Sequence, residues 1–204
     1  MNINYRVFTI IMIVINIVIL SLLVFNMFAQ NNGAALIIYD QNFENGAADW
    51  ITEGGTWTVQ QDDFGNSFYC VTTSEQARAY PPLPVLSDFV LDLDILINQP
   101  NGEIVLRQQQ AISLSYAITD NSVTLSREDG WIAAEEGYPF PLGDWISTRT
   151  YGIERTFEFQ IDDTMTFLAI IMDDKFINQG QFALGASGNA DICFDNFVIT
   201  YIER

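Results

Sequence analysis

The sequence contains no histidine. Histidine-based catalytic triads, histidine general bases and the commonest transition-metal ligand are excluded together. Cysteine occurs only twice, at Cys70 and Cys193. That is too few and too scattered for a structural zinc site, so any metal would be held by oxygen, as calcium or magnesium is. Basic residues are scarce: 8 Lys and Arg against 26 Asp and Glu give a formal charge of −18. A surface of that sign repels nucleic-acid phosphate and anionic headgroups, and it suits cations or a neutral ligand such as a sugar. No nucleic-acid partner is expected. From Leu36 onward there is no amphipathic helical pattern, no repeat and no low-complexity tract.

What remains is apolar and aromatic. Hydrophobic residues make up 49% and aromatic residues 13% of the 204 positions, enough for one domain with a real core. Val7 to Ala29 carries no charge. As a helix rising about 1.5 Å per residue it is long enough to cross a hydrocarbon core of about 30 Å. Residues 1–29 are therefore predicted to be a transmembrane signal anchor, with Gln30 to Ala35 a short tether. A cleaved signal peptide is the alternative, although Met27-Phe28-Ala29 fits a small-x-small cleavage site poorly. Arg6 precedes the run and no Lys or Arg follows it before Arg78. Both readings therefore place residues 36–204 on the extracytoplasmic side, as a single-pass membrane protein or a secreted one.

The exported part reads as short alternating runs separated by Gly, Asn, Asp and Pro. Phe89, Leu91, Leu93, Ile95 and Ile97 fall on one face of a strand, with Asp88, Asp92 and Asp94 on the other. Further strands are predicted over Leu36–Glu44, Trp57–Gln61, Asn66–Thr73, Gly102–Gln108, Ala111–Ile118, Ser122–Arg127, Thr156–Ile161, Met165–Met172 and Phe182–Leu184. Glu128 to Ile146 reads as one long loop. The last run, Asp191 to Tyr201, is apolar on both faces and should pair with Leu36–Glu44, closing the domain. Ten to twelve such strands make an all-β fold, an antiparallel sandwich of two sheets.

Four segments in order carry a family resemblance: Asp88-Phe89-Val-Leu, Gly102-Glu-Ile-Val-Leu-Arg107, Gly180-Gln-Phe-Ala-Leu-Gly185 and Phe194-Asp195-Asn196-Phe-Val-Ile199. Together with Asp40-Gln-Asn-Phe43-Glu44 they resemble the concanavalin A-like jelly rolls, in particular laminin-G-like and keto-disaccharide-hydrolase-like domains. The resemblance implies two curved sheets whose concave face or edge loops bind carbohydrate in many members. It also implies a structural calcium near the joined chain ends, for which Asp40, Glu44 and Asp195 are the candidate ligands.

The clustered carboxylates that glucanases of this fold carry on one strand, Glu-x-Asp-x-x-Glu or Glu-x-Asp-x-Glu, are absent. Asp92 and Asp94 lack a flanking glutamate, and Glu135-Glu136 are adjacent in sequence. No catalytic residue is assigned. Trp131, Tyr138 and Trp145 offer flat rings to the C–H faces of pyranoses, against the alternative that they plug the end of the sandwich. Arg107 either faces the groove or forms a salt bridge with Asp92 or Asp94. Cys70 and Cys193 either form a disulfide tying an early strand to the last one or are two buried thiols. The favoured reading is a membrane-anchored module binding neutral glycans. A hydrolase of glycosides or keto-sugars comes second, and a structural envelope protein that contacts another protein third.

Overall fold

The computed structural model describes residues 35–203 apart from 110–111, 120, 163–164 and 173–174. Among the described residues no helix is long and apolar enough to cross a membrane. The predicted anchor, Val7 to Ala29, lies outside them.

Among the described residues fifteen strands follow one another. The first five are β1 (Ala35–Gln41), β2 (Ile51–Glu53), β3 (Thr56–Gln61), β4 (Ser67–Thr73) and β5 (Ala77–Tyr80). Next come β6 (Phe89–Gln99), β7 (Gly102–Gln109), β8 (Ile112–Ile118), β9 (Ser122–Arg127) and β10 (Ile132–Gly137). The last five are β11 (Trp145–Ile153), β12 (Thr156–Ile161), β13 (Met165–Ile170), β14 (Gln181–Ala186) and β15 (Ala190–Ile202). Sheet A runs β13-β12-β11-β6-β15-β4-β3, with β1 also paired to β15. Sheet B runs β10-β9-β8-β7-β14-β5-β2. The architecture is all-β, two antiparallel sheets packed face to face.

The core follows from alternation. Phe89, Leu91, Leu93, Ile95 and Ile97 of β6 are all buried, facing Tyr116, Leu125, Phe182 and Leu184 of sheet B in one apolar cluster. β15 keeps large apolar residues facing the core along its length only because it carries a bulge. Asp195 lies opposite Asp94 but Val198 opposite Asp92, so one residue is inserted between them. Asn196 absorbs it with φ of 50°, in the left-handed region that Asn tolerates better than most residues. Ile192, Phe194, Phe197 and Ile199 consequently all enter the core. Without the inserted residue Phe197 would point outward.

Two expected features differ from what is observed. Glu128 to Ile146 is not one loop, because β10 forms within it and β11 begins at its end. β10 is an edge strand, mostly exposed and acidic at Glu135 and Glu136, so it lacks the apolar alternation that marks a strand. β11 turns Ile146, Thr148, Thr150 and Gly152 inward, and three of these are not large apolar residues. Gly152 is required there: a Cβ would come within 2.4 Å of the Phe89 ring on the opposing strand.

Cys70 and Cys193 lie directly opposite one another on β4 and β15, and they form a disulfide with Cα atoms 4.0 Å apart. The link joins positions 123 residues apart. It restricts the unfolded chain far more than a short loop would, which corresponds to about 2–5 kcal/mol. Replacing both cysteines by alanine should lower the thermal midpoint accordingly. A double variant that melts with the parent would contradict that role.

Candidate functional site

The outer face of sheet A is built by residues alternating with the core positions. Trp145 lies opposite Leu96, Leu96 opposite Cys193, and Cys193 opposite Cys70. In the next row Ser147 lies opposite Asp94, and Asp94 opposite Asp195. The row beyond holds Gln160, Arg149, Asp92 and Val198. An apolar band thus borders two polar ones.

Phe68 and Trp145 stand on β4 and β11 with β15 and β6 between them. Three strand spacings amount to about 14 Å, yet their rings meet edge to face with centroids 5.4 Å apart. Both side chains therefore lean toward each other across β15 and β6. Cys70 and Cys193 are buried although they point away from the core. Trp145 remains 41% exposed.

Beside the rings is a polar depression of about 300 Å³ lined by Asp92, Asp94, Ser147, Arg149, Gln160 and Asn196, among others. Its side chains are fixed by one another. Asp94 accepts from Ser147 Oγ at 2.6 Å and from Asn196 Nδ2 at 2.7 Å. Arg149 donates from Nε to Asp92, which raises the guanidinium pKa. Asp162 accepts from the Ser147 backbone amide at 3.1 Å. Such a surface offers fixed acceptors and donors without ordering them at the moment of binding.

Asp195 is only 5% exposed. It accepts from Asn66 Nδ2 at 3.0 Å and from the Asn196 amide at 2.7 Å. Burial pushes its pKa above the ordinary aspartate value, and the charges of Asp94 and Glu44 add to the rise against the two hydrogen bonds.

The residues expected to bind sugar do not converge. Trp131 precedes β10, where Arg127 lies over its ring at 5.1 Å and the indole packs partly against the core. Tyr138 follows the other end of β10 and stacks edge-on with the buried Phe140 at 4.8 Å. Trp145 alone reaches the outer face of sheet A. Arg107 is fully buried and presents nothing to a ligand. Neither expected salt bridge forms, because Asp92 pairs with Arg149 and Asp94 bonds Ser147 and Asn196. Arg107 instead donates to the carbonyls of Glu154, Ile177 and Ser87. Its guanidinium lies over the rings of Phe157 and Phe176 at 4.7 and 5.2 Å. Burial lowers its pKa to about 10, and Asp88 opposes that shift.

The three expected calcium ligands do not form one group, although Glu44 and Asp195 are near enough for their charges to interact. Asp40 is exposed, and both Glu44 oxygens are taken by the amide and hydroxyl of Ser67. Among the described residues no three acidic, His or Cys side chains group to hold a metal. Sequence reasoning missed Phe68, Ser147, Arg149, Gln160 and Asn196. Ser147 and Arg149 lie on β11, whose pattern hides the strand, and Asn196 faces this surface only because of the bulge.

The outer face of sheet B is also polar, and its charged groups engage each other as well. Arg78 donates from Nε and Nη2 to Glu103 at 3.3 and 3.1 Å, and Ser115 donates to Glu103 at 2.9 Å.

By sequence, no family model and no curated protein matches the chain. Solved structures do match by shape. Carbohydrate-binding module CBM66 from Bacillus subtilis aligns with 21% identity and a TM-score of 0.60, over 73% of this chain and 93% of that one. A protein of unknown function with a galectin-like fold, also from Bacillus subtilis, aligns with 11% identity and a TM-score of 0.64, over 82% and 97%. Domain 4 of AbnA, a GH43 extracellular arabinanase from Geobacillus stearothermophilus solved with arabinotriose, aligns with 15% identity and a TM-score of 0.60, over 83% and 94%. At these identities the likeness establishes the fold alone: a jelly-roll β-sandwich of the galectin-like kind.

The raised pKa of Asp195 gives a pH test. A carboxyl whose pKa rises on folding favours the folded state while protonated, and that contribution is lost as pH rises through its folded value. Stability should therefore increase as pH falls from neutral toward the region just above the ordinary aspartate value. Asp195→Asn removes the charge and keeps an acceptor. Its thermal midpoint at pH 7 should exceed the parent's, and that part of the pH slope should disappear. Parallel pH profiles for the two proteins would contradict the assignment.

Proposed function

We propose that this chain is an extracytoplasmic carbohydrate-binding module, held at a membrane through Val7 to Ala29, that takes neutral glycans on the outer face of sheet A. The observation that carries the reading is the exposed Trp145, which meets Phe68 and stands one row of sheet A from Ser147 and Asp94 of the polar depression. A pyranose has an apolar C–H face and a rim of hydroxyls that both donate and accept. The indole suits the face. Asp92, Asp94, Arg149, Gln160 and Asn196 suit the rim, because hydroxyl pairs are matched by carboxylate acceptors and by guanidinium and amide donors. A carbohydrate-binding module and an arabinanase domain solved with arabinotriose, both among the structural neighbours, support the same class of ligand. The charge of −18 disfavours uronates relative to neutral glucans and mannans.

One observation favours glycoside hydrolysis as a second reading: Asp94 lies directly opposite Asp195, whose pKa is raised. Two carboxyls, one of them with a raised pKa, are what such chemistry needs. Here both are already engaged by Ser147, Asn66 and Asn196, and Asp195 is buried. Binding without turnover is the reading this commitment supports.

Calorimetric titration of the protein with neutral oligosaccharides tests both readings. Trp145→Ala should weaken binding at least tenfold, about 1.4 kcal/mol, with the fold retained. Binding that is indifferent to this substitution would remove the proposed site. Release of reducing sugar that depends on Asp94 and Asp195 would replace it with the hydrolase.

A further inference from the structure

The end of the sandwich at which the chain enters β1 is apolar at its rim. Tyr39 packs edge-on against Phe197, and Glu44, just past β1, bonds Ser67 at the start of β4. β1 therefore runs from the Tyr201 end of β15 toward its middle, which sets Leu36 and Ile37 at that end. Tyr201 lies opposite Phe89, and Phe89 opposite Gly152. The β11–β12 turn follows, with Ile153 opposite Thr156 and Thr156 opposite Ile170. Met172 lies two residues on. In sheet B, Ile132 lies opposite Ser126, next to Arg127, whose guanidinium reaches the Lys175 carbonyl. Val85 completes the rim: it is two residues before Ser87, whose carbonyl shares Arg107 with that of Glu154.

Leu36, Ile37, Val85, Ile132, Ile170 and Met172 are 50% to 82% exposed, and they are half of the twelve large apolar residues exposed among the described residues. Single exposed apolar side chains are ordinary; a group of them at one end is not. What covers them follows from the chain itself. The uncharged run Val7 to Ala29 ends only six residues before Ala35, a gap of about 20 Å even fully extended.

We infer that this rim seats the domain on a lipid bilayer, with its apolar side chains in the interface between headgroups and acyl chains. The inference rests on the reading of Val7 to Ala29 as an anchor. The contact is apolar, not electrostatic. Asp129 pairs with Arg127 and approaches Lys175, Asp88 accepts from the Glu154 amide, and the chain as a whole is strongly acidic. A zwitterionic surface is its partner, and anionic lipid should weaken the seating. Side chains so placed enter about 5–10 Å into the boundary region.

The full chain, reconstituted with phosphatidylcholine vesicles with and without brominated acyl chains, tests this. An environment-sensitive fluorophore is placed on Met172→Cys, or on Leu142→Cys at the far end, where the Gly143 amide bonds Ile97. Flotation reports separately whether the chain is on the membrane at all. The expected result is flotation with the Met172 probe quenched by bromolipid and the Leu142 probe unaffected. Ile170→Asp should release that quenching while the chain still floats. Flotation with an unquenched Met172 probe, or with both probes quenched, overturns the seating and leaves the anchor standing. Failure to float overturns both. A Met172 probe shielded without lipid, in a species of twice the mass, assigns the rim to a second copy and overturns the proposal as well.

Discussion

The constraint on which the rest of this fold depends is that its last strand is an interior one. β15 has β6 along one edge, and β4 and β1 on the other, so it closes contacts with segments made at the beginning and middle of the chain. Nothing local rewards it until those partners are in place, and loop closure is the entropic cost. Two devices offset this. The Cys70–Cys193 disulfide fixes β15 against β4 at one end. The bulge at Asn196 keeps the inward side chains in register with the core along all thirteen residues of the strand.

The same two devices build the candidate site. The disulfide lies on the outer face of sheet A, the face on which Phe68 and Trp145 meet. One row away the bulge turns the Asn196 side chain onto Asp94, which fixes that carboxylate from a second side. Closing the fold and presenting an aromatic edge beside a fixed polar row are thus one arrangement. Binding residues on strand faces of this kind move little, which favours a site that recognises its ligand in a ready-made geometry.

Much of the fold was legible because β6, β9 and β12 alternate large apolar residues with others, and burial rewards that pattern directly. The pairing of the first strand with the last could be read from the burial that the closing run implied. β11 was not legible, because its inward positions include two threonines and the glycine that makes room for Phe89. Arg107 was misplaced because an arginine on an aliphatic strand reads as outward. A bulge between Val105 and Arg107 shifts the register there, and Arg107 is buried among three carbonyls and the faces of aromatic rings. The site was half legible. Trp145, Asp92 and Asp94 were visible as residues, but their partners came from a strand with no apolar signature and from a one-residue insertion, neither of which leaves a periodic trace.

The most direct test of the account is to map where a neutral oligosaccharide touches the domain. Backbone amide shifts followed by NMR during titration would do this without perturbing any side chain. The account predicts that the largest shifts fall on Asp92, Asp94, Trp145, Ser147, Arg149 and Asn196, the outer face of sheet A. Shifts concentrated instead around Arg78, Glu103 and Ser115, on the outer face of sheet B, would contradict it.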